Sequence, residues 1–70
     1  MYGTIRYIDL DGGYWAIEGE DGQFYDAFGG LASDVQIDGL AVWFAARLRP
    51  DLPPAHSLTI VVEIVRIVVQ

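Results

Sequence analysis

Glycine-containing turn signals divide the first part of the chain at intervals of about ten residues. They are Asp11-Gly12-Gly13, Asp21-Gly22, Gly29-Gly30 and Asp38-Gly39. Residues of these types adopt the positive φ angles that tight hairpins require. The runs between them are short and rich in β-branched and aromatic residues, which favour strands. The spacing therefore predicts an all-β domain of short antiparallel strands.

The turns separate five predicted strands. These strands cover Thr4–Leu10, Tyr14–Glu18, Gln23–Phe28, Leu40–Leu48 and Ser57–Val69, with a short helical turn predicted at Leu31–Asp34. Three prolines make Arg49–His56 a loop, because proline cannot donate to a sheet ladder. A three-stranded meander, an irregular connection, a fourth strand, a loop and a fifth strand follow the order of an OB-fold barrel. We therefore expect a five-stranded antiparallel OB-fold barrel with an extended carboxy-terminal strand.

The chain has 70 residues and no cysteine, so packing or self-association must stabilise it without disulfides. A hydrophobic fraction of 53% is high enough for such a core. The amino-terminal segment lacks the basic start and apolar core of a signal peptide. The longest apolar stretch, Leu58–Val69, contains two charges and is shorter than the ~20 residues of a membrane-spanning helix. We expect one cytoplasmic domain covering residues 1–70.

Acidic residues dominate the first two thirds of the chain. Ten acidic side chains against four arginines and no lysine give a formal net charge of −6. Eight of the acids lie between Tyr7 and Ala46, where no basic residue occurs: Asp9, Asp11, Glu18, Glu20, Asp21, Asp26, Asp34 and Asp38. Such a surface keeps an apolar protein soluble, but it also repels a phosphate backbone. The charge argues against tight nucleic-acid binding.

Three short motifs carry a resemblance to a known family. They are Gly3-Thr4-Ile5-Arg6-Tyr7, Gly13-Tyr14-Trp15-Ala16-Ile17 and Phe24-Tyr25-Asp26-Ala27-Phe28. They resemble, in order, the Gly-Thr-Val-Lys-Trp, Gly-Phe-Gly-Phe-Ile and Val-Phe-Val-His-Phe motifs of the bacterial cold-shock domain. The resemblance extends from the first strand to about Arg47 and implies a cold-shock-like OB-fold.

The resemblance also implies a function, which is weak binding of single-stranded DNA or RNA by base stacking. The residues carried over from the family are Arg6, Tyr7, Tyr14, Tyr25 and Phe28. Each stacked base would contribute ~1–3 kcal/mol. The sequence departs from the family at Gly12, Ala16 and Ala27, which stand where the family has lysine, phenylalanine and histidine. Any affinity is therefore expected to be weak and strongly salt-dependent.

Two residues of these motifs have more than one interpretation. Trp15, at a position that the family fills with glycine, is either a ligand-stacking residue or a residue that covers a barrel end or a subunit contact. The packing or interface role is favoured. Asp26 alternates with Phe24 and Phe28, which places it on the inward side if the family register holds. A bulge that turns Asp26 towards solvent or Arg6 is the favoured alternative, because a buried carboxylate needs partners.

The carboxy-terminal strand is apolar on both faces, which is typical of strands covered on both sides. One face carries Leu58, Ile60, Val62, Ile64 and Val68, and the other carries Val61, Val65, Ile67 and Val69. A five-stranded barrel covers only one of these faces. We therefore predict a homo-oligomer in which Trp15, Val61, Val65, Ile67 and Val69 form an interaction surface. The alternative is a strand that bends and wraps its end around the barrel.

Catalytic groups are sparse. His56 is the only histidine and lies in the proline-rich loop, where we expect it to be solvated. No oriented nucleophile and base are therefore predicted. Asp9 and Asp11 precede a glycine turn but lack the later ligands of a calcium loop. We predict neither an enzyme nor a metal or cofactor site. Two functions stay open: a cold-shock-like nucleic-acid binder, and a protein-interaction or self-associating barrel that has lost nucleic-acid binding.

Overall fold

The computed structural model describes residues 1–56 and 58–70. Its strands are β1 (Tyr2–Ile8), β2 (Tyr14–Gly19), β3 (Phe24–Ala27), β4 (Ala41–Leu48) and β5 (Thr59–Val69), and a 3₁₀ turn covers Ser33–Val35. The strands close into a barrel in the order β1-β2-β3-β5-β4, with β4 paired to β1. The predicted all-β, OB-fold-like five-stranded barrel is confirmed.

The prediction that all strands are antiparallel is wrong for one pair. β3 and β5 run parallel, from the pair Phe24 and Thr59 to the pair Ala27 and Val62. The other four pairs of neighbouring strands are antiparallel. An odd number of strands cannot alternate in direction all the way round a closed barrel, so one pair must be parallel. Closure itself therefore requires this departure.

The element boundaries differ from the prediction by one or two residues at most ends. β1 begins at Tyr2, because this residue pairs with Trp43, and it ends at Ile8, ahead of a turn in which the N–H of Gly13 bonds to the carbonyl of Leu10. The helical turn begins two residues later and ends one residue later than predicted. The predicted start of the last strand, Ser57, lies outside the described residues.

The barrel core is formed by alternate residues of the strands. Ile5, Ile17, Val42 and Val62 are fully buried and come from four different strands. Phe44 is also buried, and it packs edge-on against the ring of Tyr25 with centroids 5.7 Å apart. The side of each strand that carries these residues therefore faces the interior, and the alternate residues face outward.

β5 contains a bulge that changes which of its residues face inward. Ala45 pairs with Arg66, whereas the next residue, Ala46, pairs with Ile64, so β5 has one extra residue at Val65. The bulge reverses the side-chain alternation beyond this point. The inward positions are Ile60, Val62 and Ile64 before the bulge and Ile67 and Val69 after it. Many of the apolar residues that the sequence places on two faces of β5 therefore point into the same barrel interior. This agrees with the alternative in which the strand bends around the barrel.

The β5 residues of the predicted interaction surface therefore do not form one continuous outer face, and this part of the prediction is wrong. Ile67 faces inward and packs against the core, and Val69 shares the inward side with its partner Val42. Val61 faces outward, is half-buried, and lines a pocket together with Leu52 and Pro53. The bulge residue, Val65, is exposed. After the bulge the outward positions of β5 are Arg66 and Val68.

Candidate binding surfaces

Tyr25, predicted to stack a base, is placed in the barrel core. The hairpin between β2 and β3 pairs Tyr25 with Ile17, and cross-strand partners share one face of a sheet. Because Ile17 faces inward, Tyr25 does as well, and only 8% of its surface is exposed. Its hydroxyl reaches the barrel end and donates a hydrogen bond to the Asp21 carboxylate. The prediction of Tyr25 as a stacking residue is therefore wrong.

This hydrogen bond shifts the pKa values of both partners. It raises the pKa of Tyr25 to about 12, because the phenol must give up its donated bond when it ionises. It lowers the pKa of the Asp21 carboxyl, which also accepts a bond from the backbone N–H of Gln23. The pair closes the turn between β2 and β3 over the end of the core.

We expect Tyr25→Phe to remove a part of the pH dependence of stability on the alkaline side. The stabilisation by the Tyr25 hydrogen bond is fully present below pH 10, the ordinary pKa of a tyrosine in an unfolded chain, and it is lost as the pH rises towards the folded-state pKa of about 12. Urea denaturation from pH 8 upward should show a wild-type advantage of about 0.5–1.5 kcal/mol that shrinks above pH 10. An advantage that stays constant across this range would contradict the assignment.

Tyr14 is covered by the loop between β4 and β5. The imidazole of His56 stacks on the Tyr14 ring with centroids 3.5 Å apart and planes 5° from parallel. His56 Nδ1 lies 3.9 Å from a carboxylate oxygen of Asp11. Ala16, two residues further along β2 and on the same side of the strand as Tyr14, is buried. The ring that the resemblance offers to a base is thus already stacked within the chain.

Arg6, the predicted cation of this site, is paired with an acid. Its Nε donates to Glu18 Oε1 at 3.1 Å across the β1–β2 pair, and both side chains are partly exposed. An ion pair at this level of exposure contributes little stability, but it offsets the local positive charge. Arg6 therefore provides little attraction for a phosphate.

Tyr7 and Phe28 are the predicted stacking residues that stay open, with 46% and 58% of their surfaces exposed. The backbone N–H of Tyr7 donates to Asp38 Oδ1 at 2.8 Å, which places an acid beside the ring. The guanidinium carbon of Arg49 lies 5.4 Å from the centre of the Phe28 ring. The site thus keeps two open rings and one cation close to one of them.

Trp15 packs against the protein and Asp26 faces solvent, as the favoured interpretations of both residues predict. Trp15 is half-buried, packs against the core and meets the Tyr7 ring edge-on at 5.2 Å, so it covers a barrel end. Asp26 faces outward because Tyr25 and Ala27 take the inward positions. β3 pairs with β5 in continuous register through Asp26, so the predicted bulge is not present there. Asp26 instead faces outward because the whole strand has the opposite sides turned inward and outward from those implied by the cold-shock resemblance.

Arg49 anchors the loop that carries His56. Its guanidinium donates to Asp51 at 2.8 and 3.0 Å and to Glu63 at 3.2 Å. The Asp51 bonds are the main reason that the pKa of Arg49 is raised and that of Asp51 is lowered. The cation next to Phe28 is thus already engaged by two carboxylates.

A second surface, not predicted from the sequence, lies on the outer side of β1, β4 and β5. Tyr2, Trp43 and Val68 are direct neighbours across these three strands. All three point outward, because they alternate with inward-facing residues such as Val42 and Phe44. Tyr2 is 56% exposed, and Trp43 and Val68 are half-buried. We call this row and its flanking residues Glu20 and Arg66 the Trp43 face.

The Trp43 face carries opposite charges at its two sides. On the β2 side, Glu20 accepts a bond from the backbone N–H of Tyr2 at 3.0 Å and is exposed to solvent. On the β5 side, Arg66 lies beside Val68 and forms no ion pair with the residues that the structure describes. A groove of about 340 Å³ runs between Tyr2, Trp43 and Arg66. The face therefore changes from acidic through apolar to basic.

A signal for this face was present in the sequence. Trp43 lies between two strongly apolar residues, Val42 and Phe44, in a strand that a barrel covers on one side only. Strand alternation alone places Trp43 opposite to Val42 and Phe44. Its alignment with Tyr2 and Val68 depends on strand pairing and on the bulge, which the sequence pattern does not specify.

Neither a protein-family model, nor a curated protein, nor a solved structure matches this chain. Within residues 1–56 and 58–70, no group of three or more histidine, aspartate or glutamate side chains is arranged to hold a metal ion. No helix in this part of the chain has the length and apolarity needed to cross a membrane.

Proposed function

We propose that this chain is a protein-interaction barrel that acts by binding other protein chains, including copies of itself. The observation that carries the proposal is the closure of the surface that resembles a nucleic-acid site. Tyr25 is buried and Tyr14 is covered by His56, so two of the four candidate rings are occupied within the chain. Stacking of single strands requires several open rings beside cations.

The distribution of open apolar residues supports the same proposal. The Trp43 face exposes tyrosine, tryptophan and arginine side by side, the residue types that contribute most to protein interfaces. A net charge of −6 disfavours a polyanionic ligand over most of the molecule. A protein partner requires no such excess of positive charge.

Sedimentation velocity of the full chain from micromolar to millimolar concentration tests this proposal. We expect the weight-average mass to rise above that of the 7.7 kDa monomer as the concentration increases. A mass that stays monomeric up to the millimolar range would remove self-association from the proposal. Scattering measurements on the same samples provide an independent mass.

Weak binding of single-stranded nucleic acid is the second candidate function. It is favoured by Tyr7 and Phe28, which are open, and by Arg49, which lies over the Phe28 ring. The binding would be weak because the acids Asp26 and Asp38 lie next to these rings. The cold-shock resemblance and a cytoplasmic location stay predictions from the sequence.

We expect His56→Ala to strengthen oligonucleotide binding, because it uncovers the Tyr14 ring. An additional stacked base contributes ~1–3 kcal/mol, so the affinity at low salt should increase about fivefold or more. Fluorescence titration with a short single-stranded DNA measures it. His56→Phe is the matched control, because it keeps a planar ring over Tyr14 and should leave the affinity unchanged. Equal affinities for wild type and His56→Ala would contradict the second candidate.

A further inference from the structure

We infer that the Trp43 face is the contact surface of a two-fold homodimer. This inference rests on the proposed function and names the surface and the partner, which is a second copy of this chain. It requires a surface that is complementary to itself, since both copies present the same residues at a two-fold interface. The charge pattern and the strand order of the barrel provide this property.

The strand order sets the geometry of the contact. Around this side of the barrel the strands follow the order β2, β1, β4, β5, so the centre of the face lies between Tyr2 on β1 and Trp43 on β4. A two-fold axis that lies in the interface and runs along the strands exchanges the two sides of the face. It places Tyr2 of one copy over Trp43 of the other, and β2 of one copy over β5 of the other.

The charges favour this arrangement over the alternatives. Glu20 extends from the β2 side beside Tyr2, and Arg66 extends from the β5 side beside Val68. The axis along the strands therefore brings Glu20 of each copy towards Arg66 of the other, which forms two equivalent ion pairs. An axis across the strands would instead oppose acid to acid and arginine to arginine. Rim charges of this kind select the orientation of the contact more than they add affinity.

The apolar centre supplies the surface that the contact removes from water. Tyr2 and Trp43 are large aromatic residues with polar atoms at their edges, a type that is common at interfaces that separate and re-form. Tyr2 is more than half exposed in the single chain. Burial of this ring against the Trp43 ring of the second copy is the main contribution expected at the centre.

Two charge reversals test the inference when each is measured alone and when they are mixed. In Arg66→Glu the dimer would oppose acids at both ion-pair positions, and in Glu20→Arg it would oppose arginines at both. Each variant alone should dimerise at least tenfold more weakly than the wild type. An equimolar mixture restores both opposite pairs, so it should form a heterodimer with close to wild-type affinity. Sedimentation velocity at low salt measures all three samples.

The outcomes separate this inference from the proposed function. A wild-type dimer with unaltered dimerisation of both variants would overturn the Trp43 face while leaving self-association in place. A mixture that stays monomeric, while the wild type dimerises, would also overturn it. A monomeric wild type would overturn both the inference and self-association. Recovery of the dimer only in the mixture supports the two-fold arrangement.

A second variant keeps the test decisive if Glu20→Arg disturbs the bond to the Tyr2 backbone. Val68→Glu places an acid on the β5 side, where it would meet Glu20 of the second copy, and it removes apolar surface from the face. We expect it to weaken dimerisation at least tenfold while circular dichroism stays that of a folded β-protein. Folded Val68→Glu that dimerises like the wild type would overturn the inference.

Discussion

Phe44→Ala is expected to destabilise the barrel by about 3–5 kcal/mol, because truncation of a buried phenylalanine removes its transfer energy and leaves a cavity. Phe44 is 3% exposed, and its ring packs against Tyr25. A domain of this size has a total stability of roughly 4–10 kcal/mol. The melting temperature should therefore fall by roughly 15 °C or more, and part of the sample could be unfolded at room temperature. Thermal denaturation followed by circular dichroism measures the change.

Leu48→Ala is the matched control for Phe44→Ala. Leu48 lies on the same strand and is also a large apolar residue, but 66% of its surface is exposed. We expect its truncation to change stability by about 0.5 kcal/mol or less. Equal losses at the two positions would mean that Phe44 is not packed in the core while Leu48 is left in solvent.

Gly3→Val is expected to destabilise the barrel by roughly 3 kcal/mol or more, through overpacking. A Cβ atom at Gly3 would lie 2.7 Å from Ile17 Cγ2 and 2.9 Å from Phe44 Cε1, both shorter than a normal carbon–carbon contact. Both neighbours are buried and have little room to move. The glycine is required here because the backbone of β1 passes directly over the core. Urea denaturation at neutral pH measures the loss.

The same side chain at the next position gives the control for Gly3→Val. Thr4 faces outward on β1, so Thr4→Val adds no atom to the core. Valine favours strands as strongly as threonine does, and we expect a change within about 0.5 kcal/mol. A loss in Thr4→Val as large as that in Gly3→Val would indicate that β1 presents its other side to the interior.

Local chemistry explains why most elements could be predicted from the sequence. The turn at residues 11–13 does adopt positive φ at all three positions, including the non-glycine Asp11 at 52°. Proline kept the segment after Arg49 out of the sheet, as expected from its missing donor. Turns and proline-containing loops depend on residues that are adjacent in the chain, so the sequence alone is enough to predict them.

The side on which Tyr25 lies could not be predicted in the same way. Resemblance to the cold-shock motif placed Tyr25 outward, whereas its pairing with Ile17 places it inward. A shift of one residue in a hairpin moves every side chain of a strand to the opposite face. The motif has an aromatic or apolar residue at four of its five positions, so its pattern does not distinguish the two registers.

The bulge in β5 was hidden for a similar reason. A bulge is visible in a sequence when polar and apolar residues change their alternation, and Thr59–Val69 is apolar in both phases. The excess of apolar residues was interpreted as two covered faces. The structure distributes many of them along one interior face on both sides of Val65, and it leaves Val68 for the outer row.

The contact that covers the Tyr14 ring joins distant parts of the chain. His56 and Tyr14 are 42 positions apart, and they meet because the loop after β4 folds back over β2. A lone histidine after a group of prolines gives no sign of such a contact. The interpretation of His56 as a solvated loop residue was therefore wrong: its side chain is 18% exposed.

Sedimentation velocity of the wild-type chain mixed with a short single-stranded DNA tests the central claim most directly. Detection at separate wavelengths for nucleobases and for tryptophan follows both components in one run at low salt. We expect the protein to sediment as a species of about twice the 7.7 kDa chain mass while nearly all the DNA sediments free. A monomeric protein that carries the DNA with it would contradict the account and would restore nucleic-acid binding as the function of this barrel.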